Sequence, residues 1–349
     1  MSSPRVSVVM SVYNGAAFLG EAIESVLAQT FSDFELLAVN DGSTDDTGDI
    51  LGRYAADSRL RVLTNPQNAG LTRSLNQALA VATGELVARQ DADDRSLPHR
   101  FRRQVEFMDA NPAIALMGSD VRLIDHKGRP RLRRAGYRAR TPLGARWQLL
   151  FENPFIHSAV MFRRGVVVDR LGGYDETHPL SQDFELWSRL MAGFDACNLG
   201  EVLLDHRTHR QSIGGRRDAG IIASRSANME RNIAIQRRNV AAILADDALA
   251  DEWPPLWTAI NVPWLAAAPR NPARALSLID RMFRRFVERN PHAEYDADIA
   301  AHRSQALWTL ARYLTTRDAR GCAEVVFSYW KHRRRTRRYR PNGAAVTRP

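Results

Sequence analysis

The chain has 349 residues, a length suited to one large domain or two ordinary ones. Apolar residues make up 44% and charged residues 25%, which excludes wholesale disorder. The formal charge of +10 is uneven: residues 321–349 carry eight Lys or Arg against Glu324 alone, so the other 320 residues are only about +3, and the basic balance does not mark a nucleic-acid-binding domain.

The first 125 residues alternate strand and helix patterns. Val6–Val12 is short, β-branched and bounded by Tyr13-Asn14-Gly15, which predicts a buried strand. Ala16–Gln29 places Phe18, Ala22, Ile23, Val26 and Leu27 on one helical face. A strand at Phe34–Val39 precedes the turn Asn40-Asp41-Gly42-Ser43. A helix at Asp45–Ala56, a strand at Leu60–Leu63 and a helix at Leu71–Ala82 follow. The strand Glu85–Arg89 runs into Asp91-Ala92-Asp93-Asp94. Pro98 suits the first turn of the next helix, and Ile114–Ile124 is strand-like.

This alternation predicts an α/β fold with a mostly parallel sheet covered on both faces. Ligands of such sheets bind beyond the carboxyl ends of the strands, so the loops at Tyr13–Ala16, Asn40–Asp45 and Gln90–Ser96 are the ones to inspect. From about Gly215 the pattern turns helical, at 220–245 and 270–290, with Trp253-Pro254-Pro255 and Pro269–Pro272 expected to break the run. The expected organisation is a catalytic domain over 1–214, a helical region over 215–330 and a basic tail over 331–349.

Cys197 and Cys322 have no metal-ligand spacing and are too few for a disulfide framework, which suits a reducing compartment. Met1–Asn14 lacks a charged segment followed by a long apolar one, so no secretory signal is expected. The longest apolar stretch, Leu256–Ala268, is interrupted by Asn261 and Pro263 and is too short to span a bilayer. Of the 49 basic residues only Lys127 and Lys331 are lysine, which reads first as genome bias and second as phosphate recognition.

Neither G-x-x-x-x-G-K-[ST] nor a G-x-G-x-x-G after the first strand is present. A bound nucleotide would then need another way to hold its phosphates, and a divalent cation on carboxylates is a common one. Asp91-Ala92-Asp93-Asp94 supplies the carboxylates at a strand end. Taken alone it reads equally as a helix-entry turn with Asp94 or Ser96 as the cap. A second Asp-x-Asp, Asp296-Ala297-Asp298, has no strand before it and reads as a decoy.

The wider pattern raises the metal reading. Ser11-Val12-Tyr13-Asn14, Gln29–Glu35, Asn40–Asp45, Asn68-Ala69-Gly70-Leu71, Asp91–Asp94, Asn153–Ser158 with Met161-Phe162-Arg163, Leu171–Asp175, Gln182–Trp187, and His206–His209 with Ser212 occur in this order. In that order they resemble the family 2 glycosyltransferases over about residues 4–212. The resemblance implies a GT-A (Rossmann-like) mixed sheet and an inverting, metal-dependent transfer from a UDP- or dTDP-sugar to a hydroxyl of a cell-envelope glycan or glycolipid. It implies that Tyr13, Asn40 and Asp41 line the base pocket, with Val12, Asn14 and Ala92 beside the nucleotide-sugar. Asp91 would face the ribose and the metal's water shell, and Asp93 would ligate Mg²⁺ or Mn²⁺. His209 would sit near the diphosphate or metal, and Asp183 would be the general base.

Three positions depart from the family pattern. Asn40 stands where Asp is frequent, Ser74-Leu75-Asn76 replaces an Ala-Arg-Asn triplet with Arg73 nearby, and Gln182 precedes the base where Glu is usual. Among the other residues, Asp45 and Asp46 read as helix N-terminal acids, Trp187 as core, Glu185 as solvated or paired with an Arg, His157 as either structural or acceptor-facing, and His178 and His206 as loop residues. Two rivals are a nucleotidyltransferase making nucleotide-sugars, which would need a cationic Gly-rich loop near the first strand, and a nucleic-acid-associated protein using the Arg-rich tail. The expected location is cytoplasmic. Lys331–Arg340, with seven basic residues in ten, would give peripheral contact with an anionic membrane, or else be a solvated end.

Overall fold

The structure is a computed structural model that describes residues 3–131, 138–209, 219–261 and 272–314. The chain divides into two compact units, one from 1–140 with 153–232 and one from 141–152 with 233–349.

The first unit is built on one eight-stranded mixed sheet. Its parallel half comprises β1 (Val6–Val12), β2 (Phe34–Asn40), β3 (Leu60–Thr64) and β4 (Leu86–Arg89), alternating with α1 (Ala16–Leu27), α2 (Thr47–Arg53) and α3 (Leu71–Val81). The two-residue strand β5 (Arg95–Ser96) and α4 (Arg100–Ala110) follow. The other half contains β6 (Ile114–Ile124), β7 (Met161–Arg163) and β8 (Asp195–Arg207), giving the order β3-β2-β1-β4-β7-β6-β8-β5. β7 runs antiparallel to both β4 and β6, and β5 antiparallel to β8.

β1, β2 and β4 are nearly continuous apolar runs because both faces are covered. Val8, Met10, Leu36, Leu86 and Met117 share a core with Leu19 and Ile23 of α1. Each such side chain contributes about 1.5–3 kcal/mol by leaving water. In register, Val12 of β1 lies opposite Asn40 of β2, and Val9 opposite Arg89 of β4. Parallel pairing therefore brings the loops after β1, β2 and β4 to one edge of the sheet.

The second unit contains α5 (Pro142–Leu149), α8 (Asp247–Asn261), α9 (Pro272–Arg289), α10 (Ala297–Leu314) and the later part of α7 (Ala219–Leu244). Its core is aromatic: Trp147, Phe151, Trp253, Trp257 and Phe286 are buried in one cluster. The expected break at Trp253-Pro254-Pro255 is not there, for both prolines lie inside α8. A proline in a helix interior costs about 3 kcal/mol or more. Burial of Trp253, Leu256 and Trp257 offsets this, at about 3–5 kcal/mol for a buried Trp. Both indoles also donate, Trp253 Nε1 to Leu150 O at 3.1 Å and Trp257 Nε1 to Phe151 O at 3.0 Å. The break expected at Pro269–Pro272 falls mostly outside the described residues, with Pro272 opening α9. The tail 331–349 lies wholly outside them. Among the described residues no helix is long and apolar enough to cross a membrane.

Candidate functional site

The loops after β1 and β2 are tied to each other. Asn14, at a φ of 49°, accepts on Oδ1 from Thr44 N at 2.8 Å, and its own N–H donates to Ser43 Oγ at 3.0 Å. Asn40 Oδ1 accepts from Ser43 N at 3.0 Å, so its side chain closes the turn. Gly42 has a φ of 69°, and a Cβ there would lie 2.4 Å from the Gln67 backbone, so only glycine fits. Asp41 is buried and accepts from Asn65 Nδ2 at 2.8 Å, Ala69 N at 2.8 Å and Gly70 N at 2.9 Å. It thus fastens the start of α3 to the end of β2. Val12 is buried, whereas the Tyr13 ring is 50% exposed at the mouth of these loops. Arg73 pairs with Glu176 at 3.0 Å on the exposed side of α3, and among the described residues it meets no carboxylate of the acid loop.

The acid loop leaves β4 at Arg89. Asp91, Asp93 and Asp94 offer carboxylate oxygens within 4.8 Å of one another. Their roles differ. Asp94 is fully buried and engaged on both oxygens: Oδ2 accepts from Ser158 Oγ at 2.5 Å and His206 Nδ1 at 2.9 Å, and Oδ1 from Arg207 N at 2.7 Å. It is therefore an internal anchor and not a helix cap. Ser96 is no cap either, since its hydroxyl donates to Gln90 Oε1 at 2.7 Å. Gln90 in turn holds the loop closed, donating from Nε2 to Asp91 O and Asp94 O, both at 3.0 Å.

Asp91 and Asp93 are only partly buried. The buried Arg89 guanidinium lies 2.5 Å from Asp91 Oδ1. Burial works to raise the Asp91 pKa, but the Arg89 guanidinium, with His206, outweighs it and holds the group below the usual carboxylate value. Asp93 is pushed up to about 6 by burial and by the charges of Asp91 and Asp94, against the opposing pull of His209. His209 Nε2 sits 2.9 Å from Asp93 Oδ2. The His209 ring packs on Phe18 with 4.8 Å between centroids, and the buried Arg207 guanidinium covers that same Phe18 ring at 4.6 Å. Arg207 also donates from Nε to Asp93 O at 2.8 Å and pairs with Glu21 of α1.

This donor set fits a hard divalent cation. Two carboxylates, Asp91 and Asp93, face one another beside a histidine already oriented on Asp93, and the raised Asp93 marks an excess of negative charge that a cation relieves.

Asp183 comes from a separate segment of the same unit. It is the second residue of α6 (Gln182–Met191), after Ser181 at a φ of 59°, in the sparsely populated left-handed region. Asp183 Oδ1 accepts from Phe184 N at 2.8 Å and Oδ2 from Asn153 Nδ2 at 2.7 Å. Burial raises its pKa, and the charge of Asp91 adds to this, while the N–H groups of Phe184, Asn153 and Asp183 itself pull it down; the net direction is up. The charges of Asp183 and Asp91 both act on the Tyr174 phenol, whose buried hydroxyl is shifted upward. Asp183 and Asp91 thus lie within electrostatic reach of each other and of Tyr174. Tyr174 OH lies 2.8 Å from His157 Nε2, and burial drives His157 down to about 3, leaving it neutral.

Neighbouring residues brace this site. Asn76 grips Tyr174 by its backbone, donating from Nδ2 to Tyr174 O and accepting from Tyr174 N, both at 2.9 Å. Gly173 has a φ of 79° and a Cβ there would lie 2.8 Å from Asn76 Oδ1, which explains the glycine. Glu185 is buried and paired with Arg189, which braces the same turn through Leu171 O and Gly173 O. Trp187 is fully buried core, as expected. His206 belongs to β8 and is not a loop residue. Arg89 had a readable signal: a cation at the end of an otherwise apolar strand, two residues before a carboxylate run. His206 and Arg207 stood out only as members of the His206–His209 stretch.

Known proteins resolve the family. The profile of "Glycosyl transferase family 2" matches residues 7–171. EpsE of Bacillus subtilis (strain 168) is 35% identical over 207 residues, covering 58% of this chain and 72% of that protein. The chain belongs to the family 2 glycosyltransferases. The amylovoran biosynthesis glycosyltransferase AmsE of Erwinia amylovora is 33% identical over 225 residues, covering 62% of this chain and 82% of AmsE. In fold, the chain resembles S. aureus TarS 1–349, solved in complex with UDP-GlcNAc, with a TM-score of 0.58 at 17% identity, covering 94% of this chain and 92% of that one. The mixed sheet with flanking helices and a helical C-terminal region is therefore the glycosyltransferase fold expected from the sequence.

Proposed function

We propose that this glycosyltransferase moves a sugar from a UDP- or dTDP-sugar to a hydroxyl of an envelope glycan or glycolipid, with inversion at the anomeric carbon. The observation that supports the reading is a partly buried carboxylate, Asp183, held by Asn153 and Phe184 N and within electrostatic reach of the clustered acids Asp91 and Asp93. In this reading Asp183 takes the proton of the acceptor hydroxyl, whose oxygen bonds to the anomeric carbon as the nucleoside diphosphate leaves from the opposite face. An alcohol is a poor nucleophile near neutral pH, and a carboxylate, with about four lone-pair sites, keeps room beside the N–H groups of Phe184, Asn153 and its own backbone to accept that proton. One base and one displacement invert the centre, as in the inverting branch of two-carboxylate glycoside chemistry.

Asp93 and Asp91, with His209, would hold Mg²⁺ or Mn²⁺. When bound, the ion supplies the positive charge that stabilises a departing diphosphate. Tyr13 and the backbone of Val12, Asn14 and Ala92 would border the nucleotide, with Asn40 and Asp41 shaping the base pocket from beneath. Arg73 would reach a phosphate by exchanging it for Glu176. We assign the chemistry to the first compact unit.

The names of relatives support the acceptor class: AmsE acts in amylovoran biosynthesis, and WbnJ of Escherichia coli, 31% identical over 218 residues, in O-antigen biosynthesis. The UDP-GlcNAc bound by TarS supports a uridine donor. The loop after β1 carries no cation, so the nucleotidyltransferase alternative gains nothing. Cytoplasmic work at the membrane face, with the basic tail as contact, completes the proposal.

The test is a panel of UDP- and dTDP-hexoses screened for protection against thermal unfolding with Mg²⁺ or Mn²⁺ and with excess EDTA. Metal-dependent protection by at least one nucleotide-sugar is expected. Full protection in EDTA, or a product of retained configuration, would refute the mechanism.

A further inference from the structure

Residues 153–158 touch two carboxylates that the chain brings from far apart. At the start, Asn153 Nδ2 donates to Asp183 Oδ2 at 2.7 Å. Asn153 Oδ1 accepts from Phe155 N at 3.1 Å, which fixes the amide so that its NH₂ side faces Asp183. At the end, Ser158 Oγ donates to Asp94 Oδ2 at 2.5 Å. Between them His157 reaches the Tyr174 hydroxyl. The stretch is itself pinned: Phe155 is buried, and Pro154 O accepts from Asn198 Nδ2 at 3.2 Å.

We propose that Asn153 is the positioning residue of Asp183, holding one carboxylate oxygen against a frame that Ser158 shares with the acid loop, so that the base and the donor site keep a set spacing. This rests on the reading of Asp183 as the base. With Oδ2 held by Asn153 and Oδ1 by Phe184 N, the carboxylate cannot rotate without losing a hydrogen bond in a partly desolvated place.

The charge balance at Asp183 supplies a separate readout. Asp91 faces it from the acid loop and Tyr174 from the turn before α6. His157, neutral, adjoins Tyr174 from the short helix His157–Ala159. On α6 itself Glu185 is neutralised by Arg189. Against burial and the like charge of Asp91, the Asn153 N–H favours the ionised form. Removing it moves the group's titration to higher pH.

The experiment compares wild type, Asn153→Ala and the near-isosteric Asn153→Asp, which keeps an acceptor for Phe155 N but loses the donor. Nucleoside diphosphate release, UDP from UDP-hexoses and dTDP from dTDP-hexoses, is followed against pH with water as acceptor. UDP affinity with Mg²⁺ is measured by calorimetry, and the Asp183 carboxyl is titrated by ¹³C NMR, with Asp183→Asn to assign its signal. Both variants should lose about 10- to 100-fold in kcat, the scale of a misaimed catalytic group. UDP affinity should stay within about twofold, separating chemistry from binding. The acid limb of kcat and the Asp183 titration should move to higher pH, further in Asn153→Asp than in Asn153→Ala. A folded variant with an unmoved titration, or with UDP affinity falling in step with kcat, would overturn the inference. Turnover retained in Asp183→Asn would instead remove the base reading beneath it.

Discussion

The tripeptide Asp-Ala-Asp occurs twice in this chain, at 91–93 and at 296–298, and the two copies do opposite things. In the second copy the carboxylates face inward on their own unit. Asp296 Oδ1 accepts from Asp298 N at 2.8 Å and Ile299 N at 3.1 Å, capping α10, and its Oδ2 accepts from Thr141 Oγ1 at 2.7 Å. Asp298, buried, accepts from Thr141 N at 2.6 Å. In the first copy the same residue types stand beside Asp94, which takes the anchoring contacts in their place, and so Asp91 and Asp93 remain partly open. Three residues cannot tell these fates apart. The fourth residue and the strand before it can, because a neighbouring carboxylate that is fully spent on structure frees the other two.

The comparison can be broken from either side, and the largest effect is expected at Asp183. Asp183→Asn should lower turnover by roughly 10²–10⁴ with UDP binding retained, measured as UDP release against calorimetric affinity. Equal losses in both would make Asp183 a binding residue. Next comes Asp93→Asn, which should cost about 10²-fold or more in turnover, the equivalent of about 3 kcal/mol, and should abolish the Mg²⁺ or Mn²⁺ dependence of UDP affinity. Undiminished metal dependence would return Asp93 to the role of its counterpart at 298.

On the other unit the expected losses are of stability. Trp253→Ala should cost about 3–5 kcal/mol in chemical denaturation by opening a cavity among Phe151, Trp257 and their neighbours. Asp298→Ala should cost about 1–3 kcal/mol, because Thr141 N loses a buried acceptor, and metal-dependent UDP binding should be unchanged. A changed metal dependence in Asp298→Ala would end the contrast between the two copies.

The smallest effect is a pH slope. Burial disfavours a charged His206, but its bond to Asp94 and the charges of Asp94, Asp91 and Asp93 raise it to about 9. A histidine raised in the folded state contributes stability that is fully present below about pH 6.5 and lost as pH rises through about 9. The melting temperature of the metal-free protein should therefore fall across that window, and His206→Gln should flatten the fall. A slope identical in both proteins would show that the Asp94–His206 contact carries no charge.

How much of this was legible beforehand depended on the range of the interaction. The strands β1, β2, β4 and β6 and the helices α1 and α3 follow from apolar periodicity and flanking turn residues, so the sequence determined them to within a few positions. It also determined that acids gather at the end of β4, a property of neighbours along the chain. What it left open required partners from elsewhere. Asp94 became an anchor because Ser158, His206 and Arg207 converge on it from two distant segments, and local reading offered only a helix cap. Pro254 and Pro255 stayed helical because the second unit's core receives Trp253 and Trp257, a gain invisible to local propensity. Asn153 and Asp183, 30 residues apart, meet only in the finished fold. Hydrophobic periodicity is written residue by residue, whereas a buried carboxylate takes its role from whichever donors the finished fold delivers to it.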